Sequence, residues 1–155
     1  MRLLGLGIGN KRIGIAVSDP TGLLATADRV LQRRSLAKDT AALAALVSEL
    51  EVEAVVVGLP LHLDGRVGEQ AELVRRFVER LKPHITVPVI FWDERLSTRG
   101  AQVLLREAGL GAADRAARID AAAAAVILQS YLDHQRQAAE RNSAGNGRPD
   151  AEPQS

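Results

Sequence analysis

The chain has 155 residues, a formal net charge of +1, no cysteine and four aromatic residues (Phe77, Phe91, Trp92 and Tyr131). One domain with a real core fits that length, and the lack of cysteine excludes a disulfide scaffold, a Cys-ligated zinc site and a thiol nucleophile. No apolar run approaches the roughly 20 residues of a membrane span, the small net charge argues against a nucleic-acid backbone binder, and so few aromatics disfavour a base-stacking platform.

Met1 to Gly5 is briefly apolar but carries no cleavage-site pattern. The expectation is no signal peptide and a cytoplasmic protein. Residues 2–8 read as a strand with Leu4, Leu6 and Ile8 on one face and Gly5, Gly7 and Gly9 on the other. Asn10-Lys11 suits a turn, and Ile13–Val17 suits a second strand ending at Ser18-Asp19-Pro20. A weaker third strand spans about Leu23–Leu31. Segments this close in sequence pair most simply as an antiparallel meander.

The period then changes. Asp39–Leu50 spaces Leu43, Leu46, Val47 and Leu50 as a helix does. Glu53–Val57 is a continuous apolar strand stopped by Gly58-Leu59-Pro60, which suits burial on both faces. Glu69–Lys82 predicts an amphipathic helix with Leu73, Val74, Phe77, Val78 and Leu81 inward and Arg75, Arg76, Glu79 and Arg80 outward. Val87–Trp92 predicts another buried strand, which delivers Asp93-Glu94-Arg95. Ser97 or Thr98 caps a helix to about Ala108 with Gly109 as its stop, and a last helix runs from near Ile119 to about Gln137. Alternation of later strands with helices implies right-handed crossovers and a parallel half to the sheet. The fold class is therefore α/β, a mixed sheet with a three-strand antiparallel meander, two parallel strands and helices on both faces. Residues 1–140 read as one domain. From Arg141 the composition turns to Asn, Ser, Gly, Pro and Glu, which predicts a disordered tail over 141–155.

Four segments are candidates for chemistry. The glycine-rich opening, Gly5 to Gly14, fits neither the dinucleotide nor the P-loop pattern, because Asn10 replaces the third glycine and Lys11 does not follow a glycine. A hairpin turn explains most of it, but glycine inside a strand marks close approach by backbone or ligand. Val57–Gly65 follows a buried strand, where α/β ligands bind. His62 and Asp64 are its polar residues, and a plain Asp64-Gly65 turn is the better reading. At the next strand end, Asp93 and Glu94 project to opposite sides, and the following Ser97-Thr98 favours function over a solvated end. Asp120 opens the last predicted helix, where an acid usually serves the helix dipole. The run Ala121–Ala125 behind it lets that helix lie close to a sheet, bringing Asp120 toward Glu94. Carboxylates gathered from separate elements hold Mg²⁺ or Mn²⁺ for phosphoryl transfer.

Four collinear stretches, Leu4–Asp19, Val57–Gly65, Asp93–Thr98 and Ile119–Tyr131, resemble the YqgF-type family of RuvC-like resolvases, also described as pre-16S rRNA nucleases, with an RNase H-like fold. The resemblance covers about residues 2–134. It implies a metal-dependent phosphodiester hydrolase that processes the 5′ end of pre-16S rRNA in ribosome biogenesis, or a Holliday junction resolvase-like DNA nuclease. The implied partner is structured RNA or branched DNA, with no membrane, and the protein a monomer or homodimer. The implied site has three carboxylates. Two carry over, to Glu94 and Asp120, as catalytic and metal-binding residues with Mg²⁺ or Mn²⁺. The third falls on Gly7, which supplies no ligand. Three readings compete: a dead or weakened enzyme; a displaced acid, Asp93 or Asp19, acting in its place; or a nucleic-acid binder that does not cut. Asp19 lies far along its strand from Gly7. Lys11, Arg12, Arg95 and Arg99 are the implied phosphate contacts. Asn10 and His62 also depart from the family pattern, without explanation. An actin-like kinase needs two such domains and is set aside.

The net charge also conceals its distribution. Residues 1–18 carry Arg2, Lys11 and Arg12 and no acid, and residues 95–118 carry five arginines against Glu107 and Asp114. Two basic segments therefore flank the candidate site, which fits recognition through backbone phosphates.

Overall fold

The computed structural model describes residues 1–96 and 112–146. Five strands form one sheet in the order β3-β2-β1-β4-β5: β1 Leu3–Ile8, β2 Arg12–Ser18, β3 Ala25–Gln32, β4 Ala54–Leu59 and β5 Val89–Asp93. The helices are α1 Leu36–Glu49, α2 Glu69–Leu81 and α3 Ala112–Asn146. β1, β2 and β3 pair antiparallel as the expected meander, and β1, β4 and β5 run parallel.

One face of the sheet carries Leu4, Leu6, Ile8, Ile13, Ile15, Val55 and Val57, packed on Leu43, Leu46 and Val47 of α1 and Val74, Phe77, Val78 and Leu81 of α2. Each large aliphatic group buried here contributes about 1.5–3 kcal/mol. The other face offers Leu3, Ala16 and Val56 to Ala124, Ala125, Ile127, Leu128 and Leu132 of α3. Ser35 caps α1 by accepting from Lys38 N–H at 3.1 Å, which starts that helix earlier than the apolar spacing suggested.

Several expectations are corrected. β5 is an edge strand with only partial burial, and Phe91 is exposed, because among the described residues no strand lies beyond it. Leu73 is 42 % exposed rather than inward, because α2 turns that position toward a cleft instead of the sheet. α3 starts at Ala112, well before Ile119, and continues to Asn146, past the compositional change at Arg141. Its alanine-rich sequence has the helix propensity to run on without a break. The helix predicted between Ser97 and Ala108 lies outside the described residues, as do residues 147–155.

Trp92 on β5 donates its indole N–H to Ser130 Oγ at 3.0 Å, and its ring meets Tyr131 and His134 edge-on at 5.4 and 5.2 Å between centroids. These contacts fasten the edge strand to α3. No helix among the described residues is long and apolar enough to cross a membrane.

Candidate active site

Because β1, β4 and β5 are parallel, their carboxyl ends open on one edge of the sheet, the usual place for a ligand in such sheets. A cleft of about 430 Å³ lies there, and its walls include Gly7, Asn10, Lys11, Arg12, Glu94 and Asp120.

Three glycines lie in the sheet at this edge, and of them Gly7 lines the cleft. Gly14 on β2 pairs with Gly7 on β1, and Gly58 on β4 stands one residue beyond the Leu6–Val57 pair. They form a row across three strands. A Cβ on Gly14 would lie 2.0 Å from the Asp120 carbonyl oxygen, so only glycine admits the α3 backbone here. A Cβ on Gly58 would meet Glu94 Oε2 at 2.8 Å and Ile127 Cδ1 at 2.6 Å. On Gly7, however, the nearest atom would be Ile127 Cδ1 at 3.9 Å, an ordinary contact. The middle of the row is thus an open socket between the position under Asp120 and the position under Glu94. Gly5, by contrast, does mark a close approach: its Cβ would meet Leu128 Cβ at 2.8 Å.

Asp120 lies two turns inside α3 rather than at its start, so the helix-dipole reading of this residue falls away. Its carboxylate accepts from Arg12 Nε at 2.5 Å, with both side chains about one-third exposed. Arg12 is therefore held by Asp120 and is not a free phosphate contact. Glu94 sits in a 3-10 turn directly after β5, over Gly58. Burial pushes its carboxyl above the usual range, and the charge of Asp93 adds to the effect.

Asp93 points away from the cleft. It accepts from the Arg95 guanidinium, with Nη2 at 2.6 Å and Nε at 2.9 Å, and that bond holds its carboxyl below the ordinary range. Arg95 also donates to the Leu63 carbonyl at 3.0 Å. Asp93 and Arg95 thus serve each other and brace the Leu61–Gly65 turn, and neither lines the cleft. In that turn Asp64 accepts from Arg66 at 2.6 Å and Gly65 has φ +90°, which is the plain turn expected. His62 is exposed and packs against Gly68, where a Cβ would clash with its ring.

Asp19 closes the turn at the far end of β2. It accepts from the N–H groups of Leu23 and Leu24, each at 2.9 Å, and from the Thr21 hydroxyl. Those bonds, that of Leu24 first, lower its pKa to about 2. It cannot stand in for a side chain at position 7. Lys11 is exposed on the cleft wall, and Arg99 lies outside the described residues. Sequence reasoning missed the roles of Gly14 and Gly58. An interior glycine right after Val55-Val56-Val57 carries the same signal as Gly5 and was legible in principle.

The comparisons with known proteins agree with this architecture. The family model RuvX, described as Holliday junction resolvase, matches residues 1–134. A protein from Desulforamulus reducens is 46 % identical over 133 residues, covering 86 % of this chain and 97 % of the relative. One from Symbiobacterium thermophilum is 50 % identical over 133 residues, covering 86 % and 92 %. Both bear the name "Putative pre-16S rRNA nuclease". Among solved structures, T. thermophilus RuvC in complex with a Holliday junction substrate superposes with TM-score 0.62 at 17 % identity, covering 88 % of this chain and 96 % of that one. Fowlpox virus resolvase with Holliday junction DNA gives TM-score 0.56 at 11 % identity, covering 87 % and 99 %. At such identities these structures establish the fold, a RuvC-like arrangement of the RNase H type. Together with the match over residues 1–134 and relatives sharing nearly half their residues along almost their whole length, this places the chain in the RuvX (YqgF) family.

Proposed function

We infer that this protein is a phosphodiester-cleaving nuclease whose substrate is structured RNA, the 5′ region of pre-16S rRNA. One observation carries the reading: Glu94 and Asp120, from separate elements, line a single cleft at the carboxyl ends of three parallel strands, on either side of the socket at Gly7. The names of the relatives supply pre-16S rRNA as the substrate, and the family resemblance of the sequence implies its 5′ end.

The residues present do not fit a two-ion centre. Among the described residues no three of His, Cys, Asp and Glu come together to hold a metal, and the position between the two carboxylates has no side chain. Two carboxylates lining one cleft do suit one hard cation, Mg²⁺ or Mn²⁺, whose other ligands are waters. When bound, such an ion makes water a nucleophile and stabilises a leaving oxygen. The chain's own residues orient and neutralise. Arg12 fixes the Asp120 carboxylate, and Gly14 lets the α3 backbone bring it to the sheet. Lys11 offers a cation to a phosphate entering beside them.

The test is cleavage of a structured pre-rRNA fragment with added Mn²⁺. Slow cleavage is expected, falling about 100-fold or more in Glu94→Gln. Gly7→Asp restores a carboxylate in an open socket, so it folds normally and raises the rate at least tenfold (about 1.4 kcal/mol of barrier). RNA binding with no cleavage by any of the three forms overturns the nuclease reading in favour of a binder. Cutting of a four-way DNA junction in preference to the RNA moves the substrate to branched DNA, the reading favoured by the RuvC-like fold.

A further inference from the structure

A second cleft, of about 520 Å³, lies on the α1–α2 side of the sheet. It shares Ile8, Gly9 and Asn10 with the cleft of Glu94 and Asp120, so the two meet over the β1–β2 turn. Its far wall is α2, where Arg76 and Arg80 stand one helical turn apart and exposed. Their neighbours are spoken for: Arg75 pairs with Glu72 at 3.8 Å and Lys82 with Glu79 at 3.4 Å. Arg76 and Arg80 have no ion-pair partner among the described residues. Glu79 also lines this wall, with its charge offset by Lys82.

The floor of the cleft is both apolar and fixed. Leu73 is 42 % exposed here although the rest of its helical stripe is buried. Arg33 is held by Asp39 Oδ2 at 2.8 Å and the Gly9 carbonyl at 2.9 Å, and its guanidinium lies 5.0 Å above the Phe77 ring. Those two bonds leave the remaining Arg33 N–H donors without an acceptor among the described residues. An immobilised guanidinium plane beside an exposed leucine, with two exposed cations along one rim, suits an unpaired base and its flanking phosphates. A duplex needs a broader surface than a cleft of this volume, which is on the scale of one small ligand.

We propose that this second cleft binds a single-stranded stretch of the nucleic acid substrate as it leaves the cleavage site over Gly9 and Asn10. One unpaired base rests on Leu73 beside Arg33, and Arg76 and Arg80 hold the phosphates on either side. Recognition of this kind selects a substrate with an unpaired tail next to the scissile bond. The proposal rests on the reading of the Glu94–Asp120 cleft as a phosphodiester site.

Fluorescence anisotropy tests it with two RNAs, a blunt hairpin and the same hairpin with a single-stranded extension, in a Glu94→Gln background that prevents cutting. The extended hairpin is expected to bind more tightly than the blunt one. Arg76→Ala with Arg80→Ala removes that advantage, a loss of roughly tenfold. The same pair makes the salt dependence for the extended RNA shallower by about 1.4, at ~0.7 per single-strand phosphate contact. Leu73→Ser weakens the extended complex without altering that slope. Equal binding of the two RNAs by the parent protein overturns the proposal, and so does an unchanged advantage in the double-arginine variant whose thermal unfolding matches the parent. If no RNA is ever cleaved but the arginines still govern the advantage, the tail site stands and the nuclease reading falls. If cleavage proceeds and the advantage ignores the arginines, the nuclease reading stands and the tail site falls.

Discussion

The two faces of the sheet are packed by opposite means. Toward α1 and α2 the contacts are bulky: Leu4, Leu6, Ile13, Ile15, Val55 and Val57 meet Leu43, Leu46, Val74 and Phe77. Toward α3 small residues are mixed in, with Gly5, Gly14 and Gly58 lying under a helix whose buried residues include Ala121, Ala122, Ala124 and Ala125. The first face gains stability from buried area. The second buries Leu3, Val56, Ile127, Leu128 and Leu132 as well, but it also gains proximity: where the alanines of α3 cross Gly14, the helix backbone that carries Asp120 reaches the sheet itself. Stability and catalytic geometry are thereby assigned to different sides of one sheet.

That division can be broken most sharply at Gly14. Gly14→Val drives a side chain into the Asp120 backbone, which no rotamer change relieves. Chemical denaturation should show a loss of about 3 kcal/mol, and the folded remainder should lose cleavage because α3 must retreat with Asp120. A loss no larger than that of a surface substitution would refute the close-approach account. On the opposite face, Leu43→Ala removes a side chain that is 1 % exposed. It should cost about 2–4 kcal/mol while cleavage per folded molecule is unchanged, since no catalytic group rests on that side. Lost activity in fully folded protein would show that the faces are coupled.

The smallest expected effect tests a third kind of contact on the α3 side, a polar one. The Asp19 turn docks on α3 through Gln129, which donates to the Leu23 carbonyl at 2.9 Å and accepts from Ala25 N–H at 2.8 Å. Because folding lowers the Asp19 pKa from 3.8 to about 2, its contribution is complete above the higher value and disappears as pH falls toward the lower one. Asp19→Ala should therefore reduce stability modestly at neutral pH and flatten the acid side of the stability profile. The two proteins should converge near pH 2. Parallel curves across that interval would show that the turn does not depend on the carboxylate.

Much of the fold was written in local pattern. The alternation of Leu4, Leu6 and Ile8, the unbroken Val55–Val57 run and the helical spacing in α1 and α2 all report faces that bury apolar groups. The features that escaped depend on partners distant in sequence. β5 reads as a buried strand by composition, and only the sheet order leaves it at the edge. Leu73 belongs to the apolar stripe but opens on a cleft. At the site, strand-end position pointed to Glu94, and the alanine run behind Asp120 pointed to that carboxylate. What could not be read was which strand glycines serve packing. Gly7 and Gly14 look alike in sequence, yet one faces an open socket and the other a helix backbone. Arg12 and Arg95 read as free cations, whereas the fold supplies each with a carboxylate.

Trp92 is the chain's single tryptophan, and it sits at the seam where β5 meets α3, bonded to Ser130 and flanked by Tyr131 and His134. Its emission is therefore a built-in optical gauge of that seam. Release of α3 from the edge strand exposes the indole to water and frees its N–H, so a red-shifted spectrum with unchanged far-UV circular dichroism reports this separation. Glu94 follows Trp92 by two residues and Asp120 lies on the same helix as Ser130. The gauge thus reads the connection on which the two carboxylates depend, with no label attached.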